Sequence, residues 1–271
     1  MKNIPILLIF ALFGTLAEAW RWPWQKPDTP EWSKLSVTFG RFSGLPITVN
    51  QAKAEGWLLN KACEGSNFFA GNRYVLKGDT AVMLLFDHMG KIAGIQNGIP
   101  KSAVGVLKAP WISEDDMYVI TAYFTEPRLI CSGSRPSSQY LGDQLLLQTG
   151  PQSSNTMAIP FKQEDLERTE WVRGGCFPAM GRHYWYNISA NMDCDDFYPM
   201  FLLYNRDRLT GFGWVAQGNA DSSRYEHPPP NRLKYGFFQA GTMPKCIPKI
   251  KSLTTQHVYL DKRPYLNLCF I

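Results

Sequence analysis

An α+β fold made of two tandem duplicated units, each a helix packed on an antiparallel sheet and stapled by a disulfide, is what this sequence predicts. Three observations carry it: landmarks that recur in order, an even cysteine count, and short aromatic or β-branched runs split by turn residues. Pro46-x10-Trp57-x5-Cys63 recurs as Pro160-x10-Trp171-x4-Cys176, and helix formers fill the run from Pro to Trp in both. Met83–Phe86 with Ile92–Ile95 aligns without a gap on Met200–Leu203 with Leu209–Phe212. Each copy then closes on an aromatic strand, a proline and a cysteine: Tyr123, Pro127 and Cys131 in the first, Tyr259, Pro264 and Cys269 in the second.

Taken in order, residues 1–19 read as a secretory signal: Lys2, an apolar run from Ile4 to Leu16, then the small-residue site Ala17-Glu18-Ala19. That run is shorter than the roughly 20 apolar residues a membrane span needs, so no transmembrane segment is expected and the protein reads as extracellular. Residues 20–32 form a Trp-rich N-terminal segment suited to packing back on the fold or to a membrane surface. The first unit covers 33–131, a linker 132–142, and the second, elaborated unit 143–271. A strand ending in glycine opens each unit, at 35–40 and 144–150. A helix follows, capped by Thr48 and Gln51 in the first copy and led by Glu164, Asp165 and Glu167 in the second. Asn72–Leu76, Ala81–Asp87, Lys91–Gln96 and Tyr118–Phe124 then read as an antiparallel meander.

The six cysteines all fall after the signal and predict three disulfides. Of the 15 connectivities available to six cysteines, the repeat selects Cys63–Cys131 and Cys176–Cys269 as equivalent staples. Cys194 and Cys246, which have no counterpart in the first unit, are left for each other. The net charge of +5 is spread along the chain, so nucleic acid is not indicated, although an anionic glycan or membrane surface suits a mildly basic protein. Asn187-Ile188-Ser189 is a sequon for N-glycosylation.

Candidate chemistry concentrates in the second unit. His183, between Arg182 and Tyr184, sits in the aromatic run that continues through Trp185 and Tyr186, and His257 enters the last strand. If Cys176 bonds Cys269, the two histidines approach one another and suggest a copper or zinc site, with His227, Asp193, Asp195, Asp196 or Met180 as candidates for a third ligand. Arg182, Tyr184 and Trp185 are the candidate ligand-binding residues. Asp193-Cys194-Asp195-Asp196 reads as a solvated turn and Glu114-Asp115-Asp116 as a turn before a strand. No G-x-S-x-G, H-E-x-x-H or P-loop motif is present, and a catalytic cysteine would leave an odd thiol.

A helix followed by a four-stranded antiparallel sheet is similar to the cystatin architecture. Val75-Leu76-Lys77-Gly78 and Pro110-Trp111 resemble the two inhibitory loops of that family, with Tyr74 where its first loop motif opens on glutamine. The resemblance implies a protease inhibitor. The reading favoured by the asymmetry of the copies is a secreted binding protein without catalysis, acting through the second unit on a metal ion, a glycan or a protein. A copper- or zinc-dependent enzyme using His183 and His257 is the competing class.

Overall fold

The computed structural model describes residues 28–65, 68–233 and 236–269. The signal segment 1–19 and Trp20, Trp22 and Trp24 lie outside these residues. The chain begins with a hairpin, β1 (Leu35–Val37) and β2 (Ser43–Leu45), and a short helix α1 (Val49–Ala54). Next come β3 (Trp57–Lys61), β4 (Asn72–Leu76), β5 (Asp79–Phe86), β6 (Ile92–Pro100), β7 (Ile112–Glu114) and β8 (Met117–Tyr123), then α2 (Pro127–Ile130). The second half supplies β9 (Leu145–Gln148), β10 (Thr156–Ile159), β11 (Trp171–Phe177), β12 (Gly181–Tyr186), β13 (Met200–Asn205), β14 (Arg208–Gln217) and β15 (Leu253–Tyr259). Antiparallel pairing throughout makes two sheets with few helices, and the predicted meander is present as β4, β5, β6 and β8.

One sheet runs β10-β9-β8-β6-β5-β4-β3, with β7 also on β8, and the other β2-β1-β15-β14-β13-β12-β11. The two orders match strand for strand, yet neither sheet belongs to one half of the chain. The β1–β2 hairpin completes the sheet of the second half through β15, and β9–β10 completes that of the first half through β8. Between the sheets lies one core, with Leu202, Phe212 and Trp214 facing Leu84, Phe86, Ile95 and Leu147. Each such side chain contributes about 1.5–3 kcal/mol by leaving water. Trp32 belongs to the same core: it packs edge-on against Phe161 and its indole N–H donates to the Leu209 carbonyl at 3.1 Å.

The helices are shorter than the sequence pattern suggests. Thr48 caps α1 by accepting from the Gln51 N–H at 3.3 Å, as its spacing predicts, but α1 spans six residues and stops before Gly56, whose φ of +85° suits glycine. In the second half the corresponding segment is a 3-10 turn, Gln163–Arg168. Trp57 and Trp171 open strands, and Cys176 lies inside β11, so the run from proline to tryptophan does not form a helix ending at a cysteine. So short a helical nucleus is marginal by itself. Pairing of Trp57–Lys61 with β4 and of Trp171–Phe177 with β12 takes these residues instead.

The gapless alignment also shifts. Pairing slips in both sheets at the same place, between Leu85 and Phe86 on β5 and between Leu203 and Tyr204 on β13. Aligning these irregularities keeps Gly94 with Gly211 but matches Leu85 with Leu203 and Met83 with Phe201, one residue off the sequence alignment on this strand. The strand alternates its faces with every residue, so the slip matters: Met83 points away from the central core, whereas Met200 points into it.

All three disulfides pair as the repeat predicts: Cys63–Cys131, Cys176–Cys269 and Cys194–Cys246. The first anchors the end of α2, the second joins β11 to the C-terminal segment, and the third pins two 3-10 turns, Cys194–Asp196 and Ile247–Lys249, over the outer face of the β11–β15 sheet. Replacing Cys194 and Cys246 by serine is therefore expected to lower the urea midpoint less than replacing either other pair, because a peripheral cover is loosened and the sheets are not. Equal losses for the three double variants in urea titrations would refute that ranking.

Candidate functional site

The outer face of the β11–β15 sheet carries the features that set the second half apart. Segments 187–197 and 236–250, with Leu233, fold over it and bury Trp185, Phe201, Phe238 and Ile247 in a second apolar cluster. Between sheet and cover lies a cavity of about 1110 Å³. Trp185, Phe201 and Val215 belong to its floor, Ile250 and Phe238 to its cover, and Val106 and Leu107 from the β6–β7 connection to one side. Its walls are mainly apolar, and its exposed rim includes Val106 and the ion pair Lys108–Asp196, at 3.0 Å.

His183 and His257 both line this cavity. They stand on β12 and β15, three strands apart, about 14 Å between backbones at ordinary spacing, yet their ring centroids are 6.0 Å apart with the planes at 86°. The intervening positions make this approach possible. Gly211 and Gly213 of β14 place no side chain between them, and the Phe201 ring lies over Gly213, where a Cβ would come within 2.2 Å of it. Phe201 packs against both imidazoles, at 5.5 and 5.0 Å.

The two histidines differ in their surroundings. His183 is enclosed by Trp185, Phe237, Phe177 and Phe201, and neither ring nitrogen makes a hydrogen bond of acceptable geometry. Burial pushes its pKa down to about 3, with the neighbouring His257 adding to the effect and the backbone at Gly175 and Gly181 opposing it only in part. His257 is held through Nδ1 by Glu226 Oε2 at 2.5 Å, while its Nε2 is buried without a partner. Glu226 also accepts from the Phe39 N–H at 2.6 Å, the His257 N–H at 3.2 Å and the Thr255 hydroxyl at 3.2 Å. Burial alone would raise the Glu226 pKa, but His257 and these donors outweigh it and hold the carboxyl below its ordinary range. An ionised Glu226 keeps the shared proton on His257 Nδ1, leaving Nε2 as the atom with a free lone pair in the neutral ring.

Alternation along β12 separates the other predicted site residues. Trp185 faces the cavity with His183, whereas Tyr184 turns to the opposite face, packs on Tyr204 and borders a smaller recess of about 570 Å³ with Arg173 and Arg208. Tyr184 therefore does not converge with the histidines. Arg182 lies on that opposite face too and donates to the Gly174 carbonyl at 3.2 Å. Met180, His227, Asp195 and Asp196 line the cavity, and Asp193 caps the acidic turn by accepting from the Asp195 N–H at 3.0 Å. Among the described residues no group of three or more His, Cys, Asp or Glu is arranged to hold a metal ion. Asn187 is exposed in the turn after β12. Sequence reasoning missed Glu226, Phe39 and Gly213; the one signal near them was the proline loop at 217–231 that sets the second half apart.

Comparison with family models, with curated proteins and with solved structures returns no match to this chain. Among the described residues no helix is long and apolar enough to cross a membrane.

Proposed function

We propose that this is a secreted, disulfide-stapled, non-catalytic binding protein that holds an apolar small molecule in the cavity of its second half. Its architecture is that of a tandem duplication in which the copies exchange their opening strands, and the copy with the added disulfide and cover carries the ligand. The observation behind this reading is the cavity itself, about 1110 Å³ and walled mainly by aromatic and aliphatic side chains. Ligand pockets are typically about 300–1,000 Å³ with a few polar groups on apolar walls. A cavity of this kind favours an apolar guest over a glycan or a flat protein partner. A nucleophilic role for cysteine finds no support, since the described chain has no free cysteine.

The test is displacement of an environment-sensitive apolar dye by a panel of long-chain and polycyclic hydrocarbons, alcohols and acids. Val215→Trp, which fills the floor of the cavity, is expected to weaken dye binding at least ~10-fold with little change in urea midpoint, since an indole there excludes a guest of similar volume. Saturable binding that is unchanged in Val215→Trp, or no binding by the wild type, would overturn the proposal.

A further inference from the structure

His183 and His257 present three buried imidazole nitrogens that make no hydrogen bond of acceptable geometry, although the backbone at Gly175 and Gly181 lies beside His183. Each unsatisfied buried polar atom costs about 1–3 kcal/mol, and such atoms call for an explanation, a missing ion among them. The other sheet shows how the same positions look when they are satisfied. Counting from the matching pairing irregularities, His183 corresponds to Arg73, Gly213 to Gln96, and His257 to Thr121. There Gln96 bridges its neighbours, accepting from Arg73 at 3.4 Å and donating to the Thr121 hydroxyl at 2.9 Å. In the second sheet the bridging residue is a glycine, and its neighbours are two imidazoles that nothing in the chain joins.

We propose that His183 and His257 hold one copper(I) ion between them, each contributing one nitrogen. The spacing fits: two metal–nitrogen bonds of about 2.0 Å end to end, with ring radii of roughly 1.1 Å, give about 6 Å between centroids, against the 6.0 Å observed. The donor count selects the metal. A structural zinc ion takes four protein ligands and a catalytic one takes three, and the described residues offer no third His, Cys, Asp or Glu in reach. Glu226 is not available as that ligand, because both its oxygens accept hydrogen bonds. Copper(I), a d¹⁰ ion without a demand for four ligands, accepts two imidazoles in a linear arrangement. Glu226 serves as the partner that orients a metal-bound histidine by taking its other N–H. The aromatic rings around His183 exclude water from the ion.

The experiment uses the full secreted chain, reduced with ascorbate only after its disulfides are verified intact, and titrated with copper(I) against a chromophoric copper(I) chelator. One ion per chain is expected, with a two-coordinate nitrogen environment by X-ray absorption and no stoichiometric zinc uptake under the same conditions. His183→Phe, which suits the aromatic box, and His257→Gln should each weaken copper(I) binding at least ~100-fold. His183→Met should retain it within ~10-fold, because a thioether is a soft ligand that suits copper(I). Glu226→Gln should fall between, at the ~10–100-fold typical of lost outer-shell partners. The proposal is overturned if the wild type does not compete with the chelator, if zinc binds as tightly as copper, or if His183→Phe binds copper like the wild type. Should the histidine variants fail to fold by circular dichroism, the absorption spectrum of the wild type decides: sulfur or four-coordinate scattering refutes the site. None of these outcomes depends on whether the cavity holds an apolar guest.

Discussion

Glu114→Leu is expected to destabilise the protein by about 3–5 kcal/mol, the cost typical of removing one partner from a buried ion pair. Arg73 and Glu114 are almost fully buried, and the guanidinium meets both carboxylate oxygens, at 2.8 and 2.7 Å. They stand on β4 and β7, four strands apart along the sheet, about 19 Å if it were flat, so the direct contact reflects how strongly this sheet curls. Glu114 also accepts from Lys61 at 2.7 Å, and burial, which would raise its pKa, is outweighed by Arg73 and Lys61. Without Glu114, Arg73 keeps Asn60 at 2.8 Å, Gln96 at 3.4 Å and the face of Phe69, none of them an anion. Arg73→Met should be milder, since Lys61 remains to neutralise the carboxylate. Combining Arg73→Met with Glu114→Leu should restore much of the loss, because no uncompensated charge remains. Urea midpoints at constant slope provide the measurement, and a double variant as unstable as the sum of the singles would count against this account.

The second large effect lies on the acid side and comes from His183. In the unfolded chain its pKa is near 6.5; in the fold burial lowers it to about 3. Between those values the unfolded state binds a proton that the folded state refuses, so stability is full above pH 6.5 and declines as pH falls. The loss is about 1.4 kcal/mol per pH unit, roughly 2 kcal/mol by pH 5 and about 4 kcal/mol by pH 3, where the folded state begins to take up the proton as well. His183→Phe removes this liability. Metal-free wild type should therefore lose about 2 kcal/mol more than His183→Phe between pH 7 and pH 5 in matched urea titrations. Parallel pH profiles for the two proteins would show that His183 takes up its proton in the fold without penalty.

What the sequence made legible was whatever depends on local chemistry or on counting. Cysteine positions sufficed for all three disulfides, because an even count and matched landmarks left one pairing that closes each half on itself in the same way. Lys77-Gly78 marked the β4–β5 turn, where both residues have positive φ and the turn suits a tight hairpin. His183 and His257 were placed together because a disulfide brings their strands to one end. Long-range information was not legible. No local preference tells β1 to join the sheet of the other half, and the one-residue offset at Met83 and Phe201 arises from a turn whose length differs between the two sheets. Tyr184 was assigned to the site by its neighbours in sequence, whereas the alternation of a strand sends it to the opposite face. Glu226 reaches His257 from a loop 31 residues away, beyond any spacing rule.

The pairing of β1 with β15 also dictates an order of assembly. The β3–β10 sheet can be completed once the chain has been made through Ile159, because every strand it contains has by then emerged. The β1–β2 hairpin emerges before all of them and has no seat there. Its neighbour is β15, where Ser36 pairs with Tyr259, so the first strand synthesised waits for the last. Contacts this distant in sequence carry the greatest loop-closure cost and form slowly. Until Leu253–Tyr259 arrives, β1 presents an unpaired edge to other chains, the kind of edge that templates aggregation. A nascent or truncated chain that ends before β15 is thus a folded sheet carrying an open strand, and Leu253–Tyr259 acts as the latch that closes it.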